Sequence, residues 1–270
     1  MFYEFFFFGL GLIVGSFLNV VILRYNSGRP ITGRSQCFSC GKTLGATDLI
    51  PLFYFLLYGG KCRLCGSEIS PQYPLVEFST GLLFLALYLT QLPLHTTVAA
   101  LFSSVLYLSI LFSLLTIIVV YDMRHKIIPD LFVYAFAVFS LLTNFVDIVT
   151  FRLTTPNWAD LFAGPLLFLP FYLLWLYSRG RWIGLGDGKL ALGMGWLLGL
   201  SGGFSAVILA FWIGAVISVV FLLHSQLFAK GEGRIMKKYE VPFGPFLILG
   251  LLIVYFFNVD VITLVTPFAL

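Results

Sequence analysis

The sequence predicts an all-α polytopic membrane protein with about eight transmembrane helices and a small cysteine-containing domain on the cytoplasmic side. Hydrophobic residues make up 60% of the 270-residue chain and charged residues only 10%, whereas soluble proteins average about 25% charged residues. Apolar runs of helical length recur along the chain, and the basic residues gather in alternate segments between them. This composition excludes a soluble enzyme, a disordered protein and a secreted disulfide scaffold. The net charge of +4 reports membrane topology and predicts no nucleic-acid partner.

The predicted helices follow from the apolar runs, because a spanning helix needs about 20 predominantly apolar residues. The run at 189–200 is the shortest and is rich in glycine. Counting it gives eight helices and places both termini on the same side of the membrane. The runs are 5–23, 75–92, 98–121, 131–149, 161–177, 189–200, 204–225 and 244–259.

The basic residues orient these helices. Arg24, Arg29 and Arg34 follow the first helix, and Lys and Arg concentrate on the cytoplasmic side of membrane proteins. With the N-terminus outside, the inner segments hold 15 of the 16 Lys and Arg residues, and Arg152 is the exception. We therefore expect a cytoplasmic-membrane protein with both termini outside, divided into a first helix (1–23), a cytoplasmic domain (24–74) and a seven-helix core (75–270).

All four cysteines lie in the first inner segment, as two CxxCG motifs with 21 residues between Cys40 and Cys62. Such a pair of knuckles fits a tetrahedral zinc site, with Cys37, Cys40, Cys62 and Cys65 as ligands. The alternatives are two disulfides or four free thiols, and a reducing cytosol disfavours disulfides. Four thiolates leave no position for water, so the predicted zinc is structural. Lys42, Lys61 and Arg63 are expected to offset the negative charge of the site.

Four carboxylates remain after eight others are assigned to solvated loops, outer helix ends or the N-terminus: Glu77, Asp122, Asp130 and Asp187. Asp122 and Asp187 are predicted at the same depth on the cytoplasmic face, where ionisable residues are functional candidates. Alternatively, Asp122 pairs with a nearby basic residue, and Asp130 and Asp187 are helix N-caps.

Asp122 and Asp187 are the best candidates for a catalytic pair. The three histidines do not fit a Ser–His–Asp set, and no HExxH zinc motif is present. Two carboxyl groups a few ångströms apart share one proton, so that one activates water while the other polarises a peptide carbonyl. This is the chemistry of aspartic proteases.

The motifs together resemble the type IV prepilin peptidases, membrane aspartic proteases of the GxGD class, over nearly the whole chain. The matching blocks are GLIVGSFLNVVILR (11–24), CFSC and CRLC, DLIPL (48–52), YPLVE (73–77), DMRHKIIPD (122–130), GLGDGKL (184–190) and VPFGPFLILG (241–250). In the resemblance, Asp122 and Asp187 match the catalytic pair and the four cysteines match the zinc ligands. Phe38 stands where the family commonly has proline, and the segment before the cysteines is shorter than in many members.

The resemblance implies cleavage of the basic leader of prepilins and pseudopilins after Gly, on the cytoplasmic side of the lipid bilayer. It also implies N-methylation of the new N-terminus with S-adenosylmethionine, for which the sequence shows no separate donor motif. Glu77, expected to be buried at the start of the second helix, is a candidate to position the substrate amine.

Two other interpretations remain open at the level of sequence. A presenilin-like or signal-peptide-peptidase-like protease shares the pairing of Tyr121-Asp122 with Gly184–Asp187, but the cysteine knuckles and the IPD block argue against it. A proton-coupled transporter would use the same aspartates as a relay, and it would have broken helices in paired repeats.

Overall fold

The fold is almost entirely helical. A computed structural model describes residues 2–45, 47–147, 152–228 and 241–262, without the side chains of 222 and 224–228. The helices in this part of the chain are α1 (Phe2–Arg24), α2 (Phe53–Leu57), α3 (Gln72–Gln91), α4 (Val98–His125), α5 (Asp130–Leu142), α6 (Trp158–Ser178), α7 (Leu185–Phe228) and α8 (Gly244–Phe257). Short 3₁₀ turns lie at Thr47–Leu49 and Leu92–Leu94, and β1 (Val146–Asp147) pairs antiparallel with β2 (Arg152–Leu153).

Five helices of the described chain are long and apolar enough to cross a membrane: α1, α3 with the following turn, α4, α6 and α7. α5 and α8 are equally apolar but contain only 13 and 14 residues. The prediction of a helix through 131–149 was therefore too long. After Leu142, the backbone N–H groups of residues 143, 144 and 145 each donate to the carbonyl three residues earlier, the tighter pattern that closes the last turn of a helix.

α7 is two helices joined by a tight reversal at Gly199. This glycine has φ 72° and ψ −178°, a left-handed conformation that residues with a Cβ rarely adopt. A Cβ placed on Gly203 would lie 3.3 Å from the Cα of Gly195, although residues eight positions apart in a straight helix are separated by about 12 Å. The chain therefore turns back, and the predicted helices 189–200 and 204–225 are separate segments on either side of Gly199.

The chain forms two compact units, one within residues 1–117 and the other beginning at residue 118. In the first unit, α1 packs closely on α3, since a Cβ on Gly15 would lie 2.8 Å from the Cα of Glu77. Small residues allow such close approach of helices within membranes.

The second unit is built around α7, which packs against α5, α6 and α8. A Cβ on Gly195 would lie 2.6 Å from the carbonyl oxygen of Ala163 in α6. The Trp196 indole donates to the carbonyl of Leu161 at 2.9 Å, and the Asn144 amide donates to the carbonyl of Trp196 at 3.2 Å. These contacts fix the first half of α7, which carries Asp187 in its first turn.

Candidate active site and metal centre

Asp122 lies one turn before the end of α4 and is only 4% exposed. Its carboxylate accepts a hydrogen bond from the backbone N–H of Gly244, the first residue of α8. A Cβ on Gly244 would lie 2.5 Å from Oδ2 of Asp122. The N-terminus of α8, whose first N–H groups have no partner within the helix, can therefore approach the carboxylate only because residue 244 is glycine.

Asp187 is the third residue of α7 and is 8% exposed. Its carboxylate accepts from the backbone N–H of Gly184, as a carboxylate at the third helical position does in a capping box. Asp187 is therefore not the N-cap residue that the alternative interpretation expected. The charge of Asp122 acts on Asp187. Ile128 also lies against both Gly186, beside Asp187, and Gly244, beside the Asp122 carboxylate. The fold therefore brings the two carboxylates selected from the sequence into the same region.

Ile128 packs between the two helix starts that carry this pair. A Cβ on Gly186 would lie 2.8 Å from the Cβ of Ile128, and a Cβ on Gly244 would lie 3.3 Å from its Cδ1. The loop that holds Ile128 begins with Lys126, whose φ is 56° and whose N–H donates to the carbonyl of Asp122 at 2.7 Å. α4 thus ends sharply and sends the buried Ile128 side chain against the beginnings of α7 and α8.

Asp130 forms an ion pair with Lys189, with Oδ1 and Nζ 2.5 Å apart. The expectation that Asp130 caps α5 was wrong, because the cap residue is Pro129 and no side-chain cap bond forms. The Lys189 ammonium also lies 4.8 Å from the ring centre of Tyr134, a distance typical of cation–π contacts. Lys189 follows Asp187 by two residues, so this pair ties the start of α5 to the first turns of α7.

Gly244, Ile128 and Lys189 were not identified as site residues from the sequence. The available signal for Gly244 was its place between Pro242 and Pro245 at the start of an apolar run. Ile128 gave no signal, because one isoleucine among many apolar residues does not reveal its neighbours.

The four cysteines converge in the first unit. Their Sγ atoms all lie within 4.8 Å of one another, and Cys37 and Cys65 are 3.8 Å apart. Thiolates about 2.3 Å from a tetrahedral zinc are separated by about 3.8 Å, whereas a disulfide requires about 2.05 Å. The cysteines are not bonded to one another, so the alternative of two disulfides does not apply. The sulfur arrangement fits zinc.

The two knuckles have the same backbone geometry. In the first, Cys37 N–H donates to the carbonyl of Lys42, and in the second, Cys62 N–H donates to the carbonyl of Ser67. Each knuckle ends in a glycine with positive φ, 68° at Gly41 and 71° at Gly66. The repeated turn directs both cysteines of each motif towards one point, which explains how two separate motifs form a single site.

At Cys37 and Cys65, hydrogen bonds favour the thiolate form that a metal requires. Backbone N–H groups of Cys40 and Ser39 lower the pKa of the Cys37 thiol to about 6. The Ser67 hydroxyl and its backbone N–H lower the pKa of Cys65. Donors that point at sulfur stabilise its negative charge, and metal ligands must be deprotonated.

Asp48 differs from the expectation that it is a solvated loop residue, because it is buried. Its Oδ2 accepts from the N–H of Gly45 at 3.0 Å, and its Oδ1 lies 3.6 Å from Nη2 of Arg63. Arg63, which was expected to offset the negative charge of the cysteine site, thus pairs with Asp48. This ion pair, between a buried carboxylate and a half-exposed guanidinium, connects the loop before α2 to the second knuckle.

Glu77 is buried in the second turn of α3, as expected, and its Oε2 accepts from the backbone N–H of Leu52 at 2.8 Å. Leu52 has φ 61°, which is uncommon for a residue with a Cβ. The observed contact of Glu77 is therefore with the chain itself, where it holds a strained turn immediately before α2.

Comparison with known proteins assigns the chain to a family. The bacterial peptidase A24 N-terminal domain matches residues 10–91, which include the four cysteines, and the type IV leader peptidase family matches residues 109–219, which include both aspartates. The prepilin leader peptidase/N-methyltransferase of Bacillus subtilis is 30% identical over 264 residues, covering 96% of each chain. The chain belongs to the type IV leader peptidase family.

Two further relatives agree with this assignment. The prepilin leader peptidase/N-methyltransferase of Pectobacterium carotovorum is 31% identical over 89% of this chain and 88% of its own length. The type 4 prepilin-like proteins leader peptide-processing enzyme of Escherichia coli is 32% identical over 89% of this chain and 88% of its own length. No solved structure matches the chain significantly. Membership of the family favours a peptidase over the transporter and presenilin-like alternatives.

Proposed function

We propose that this chain is a membrane aspartic endopeptidase that removes the leader peptide of type IV prepilins and pseudopilins after Gly. Asp122 and Asp187 form its catalytic pair. The observation that carries the proposal is the convergence of these two buried carboxylates at the end of α4 and the start of α7, within the part of the chain that matches the leader peptidase family.

The pair acts on a water molecule held between its carboxyl groups. One aspartate, ionised, accepts a proton from the water as the water oxygen attacks the carbonyl carbon of the scissile bond. The other aspartate, protonated, donates its proton to the carbonyl oxygen. When the tetrahedral intermediate collapses, the C–N bond breaks and the departing amine takes a proton from the first aspartate. One hydroxyl group of the intermediate returns its proton to the second aspartate, which leaves a carboxylic acid product and restores the starting protonation of the pair.

The surrounding residues hold the geometry that this sequence of steps requires. The N–H of Gly244 directs the Asp122 carboxylate, and that of Gly184 directs Asp187. Ile128 fills the space against Gly186 and Gly244. Preorganised donors and packed neighbours keep the reacting groups in place without rearrangement during the reaction.

Zinc bound by Cys37, Cys40, Cys62 and Cys65 would have a structural role, because four thiolates complete its tetrahedral shell. It supplies cross-links to a segment whose own apolar core is small. The four-cysteine domain (24–74) is proposed to lie on the cytoplasmic side of the membrane. The active site of the membrane core (75–270) is proposed to lie at the cytoplasmic face, with both termini outside.

N-methylation with S-adenosylmethionine is proposed as a second activity of the chain. Its support is the name prepilin leader peptidase/N-methyltransferase, which two of the relatives described above carry. No residue is assigned to the methyl donor.

Incubation of purified protein with a model prepilin, followed by mass analysis of the products, tests both activities. Asp122→Asn, Asp187→Asn and the double variant should each lose cleavage to a similar extent, on the order of 10³-fold or more, because the pair acts as one unit. Glu68→Gln, a matched change at an exposed carboxylate in the cysteine domain, should keep activity. Cleavage by Asp187→Asn at near the original rate would reject the assignment. Unchanged zinc content and melting temperature verify that a variant which loses cleavage is still folded.

A further inference from the structure

A patch of exposed apolar side chains covers the outer side of α2 and the turn before it. Leu56 is 75% exposed, Leu57 62% and Phe53 54%. Contiguous apolar surface of this kind marks an interaction site. The α2 patch consists of Leu49, Ile50, Phe53, Leu56, Leu57 and Tyr58.

The depth of the α2 patch follows from its contact with α3. The N–H of Leu52, immediately before α2, donates to Oε2 of Glu77 at 2.8 Å. α3 begins at Gln72 and is part of a candidate membrane span, so Glu77 lies about 7.5 Å along the helix axis from its start. α2 is therefore held beside the second turn of a membrane-spanning helix, at the level of the bilayer boundary.

The inner side of α2 packs against the cysteine domain, and these contacts determine which way the patch faces. Tyr54 is buried, and its hydroxyl oxygen accepts from the N–H of Arg63 at 2.9 Å. Phe55 packs against Gly60, where an added Cβ would lie 2.9 Å from its ring. Tyr58, at the edge of the patch, contacts Tyr54 with ring centres 4.8 Å apart. With Tyr54 and Phe55 turned inward, the most exposed side chains of the patch, those of Phe53, Leu56 and Leu57, lie on the solvent-facing side of α2.

The charge of the same domain suits a membrane surface. Residues 24–74 contain six Lys and Arg but only two carboxylates, and Asp48 is already paired with Arg63. Exposed Lys61 adjoins the patch, because its N–H donates to the carbonyl of Tyr58 at 3.1 Å. Basic residues beside an apolar surface are attracted to the anionic headgroups of the cytoplasmic leaflet.

We propose that the α2 patch inserts into the cytoplasmic interface of the bilayer and anchors the four-cysteine domain to the membrane surface. α2 has only five residues and cannot span the bilayer, so it lies in the interface with its apolar side down. This role is independent of the catalytic activity.

A fluorescent amino acid at position 56 of the full-length protein tests the insertion in vesicles of phosphatidylcholine and phosphatidylglycerol. Insertion about 5–10 Å below the headgroups predicts strong quenching by lipids brominated near the headgroup end of the acyl chain, and weaker quenching by lipids brominated near the methyl end. A label at exposed Lys42, beside the first knuckle, should stay unquenched. Position 57 provides a second labelled variant, and unchanged zinc content verifies that each protein is folded.

Three results would overturn the proposal. Emission at 56 and 57 that is unaffected by either brominated lipid places the patch in water. A spectral change that requires added prepilin identifies the patch as a substrate-docking surface, and one that depends on protein concentration in detergent identifies an interface between two copies of the chain.

Discussion

Gly244 determines where the Asp122 carboxylate can lie. A methyl group at this position would come within 2.5 Å of Oδ2 of Asp122, which is closer than any stable contact. The carboxylate can rotate away, so Gly244→Ala should leave the protein folded but move the catalytic oxygen. A displacement of about 1 Å can cost about 100-fold in rate, and we expect a loss of that order in kcat for prepilin cleavage.

Gly9→Ala is the matched control for this substitution. Gly9 also lies within a helix, but a Cβ there would meet no atom within 4 Å. The Gly9→Ala variant should cleave prepilin at the original rate. Equal activity of Gly244→Ala and the original protein, with zinc content and melting temperature unaltered in both, would contradict the role assigned to Gly244.

The residue scale also shows what the sequence could reveal. Asp122 and Asp187 were found because charges are rare in this chain, so that each one near the membrane requires an explanation. Gly244 and Ile128 were not found, because their importance comes from contacts between segments that are far apart in sequence. An apolar residue or a glycine carries no mark of such a contact.

At the scale of elements, the Asp130–Lys189 pair joins the start of α5 to the start of α7. Because Asp130 is exposed and Lys189 is largely buried, we expect Lys189→Met and Asp130→Asn each to lower cleavage by about 3- to 10-fold, which corresponds to about 0.7–1.4 kcal/mol. The double variant should cleave prepilin as fast as the less active of the two single variants, because both substitutions remove the same interaction.

Exchange of the two charges separates positioning from general stability. Asp130→Lys combined with Lys189→Asp restores an ion pair and should recover part of kcat, with KM little changed. Additive losses in the double variant, or no recovery in the exchanged protein at equal melting temperature, would show that the pair does not position the catalytic residues.

The cysteine domain is a second element with a direct test. Elemental analysis of the purified protein should find about one zinc per chain, since four thiolates form one complete site. Cys62→Ser should lower the zinc content and make the segment 24–74 more sensitive to added protease, because metal binding contributes to folding of a small domain. Full zinc content in a protein that lacks all four cysteines would exclude the site.

Helix boundaries illustrate why elements are only partly predictable. The apolar runs located the helices, but hydropathy alone did not show that α5 ends at Leu142 or that the chain reverses at Gly199. Both features depend on local hydrogen bonds and on one left-handed glycine in an otherwise apolar segment. The convergence of the four cysteines was predictable, because residue type and spacing are read directly from the sequence, whereas the bound zinc stays a prediction.

At the scale of the whole molecule, the number and direction of membrane crossings remain predictions. The 44 residues of α7 would measure about 66 Å as a straight helix, roughly twice the 30 Å hydrocarbon core. The reversal at Gly199 instead allows two crossings, which is the arrangement that the eight-helix topology requires. α5 and α8 are short for a crossing, so the topology needs an experiment that does not rely on helix length.

Reporter fusions along the chain provide this experiment. Fusions near residues 35, 126, 182 and 235 should report a cytoplasmic location, because the neighbouring segments contain nearly all of the basic residues. Fusions near 95, 155 and the C-terminus should report an external location. A C-terminus on the cytoplasmic side would remove one helix from the predicted set. If the fusion near 235 is then external, the two halves of α7 do not both cross; if it is cytoplasmic, α8 does not cross. An external reporter near 126 would be more serious, since it would place Asp122 on the face opposite to the cytoplasmic leader peptide.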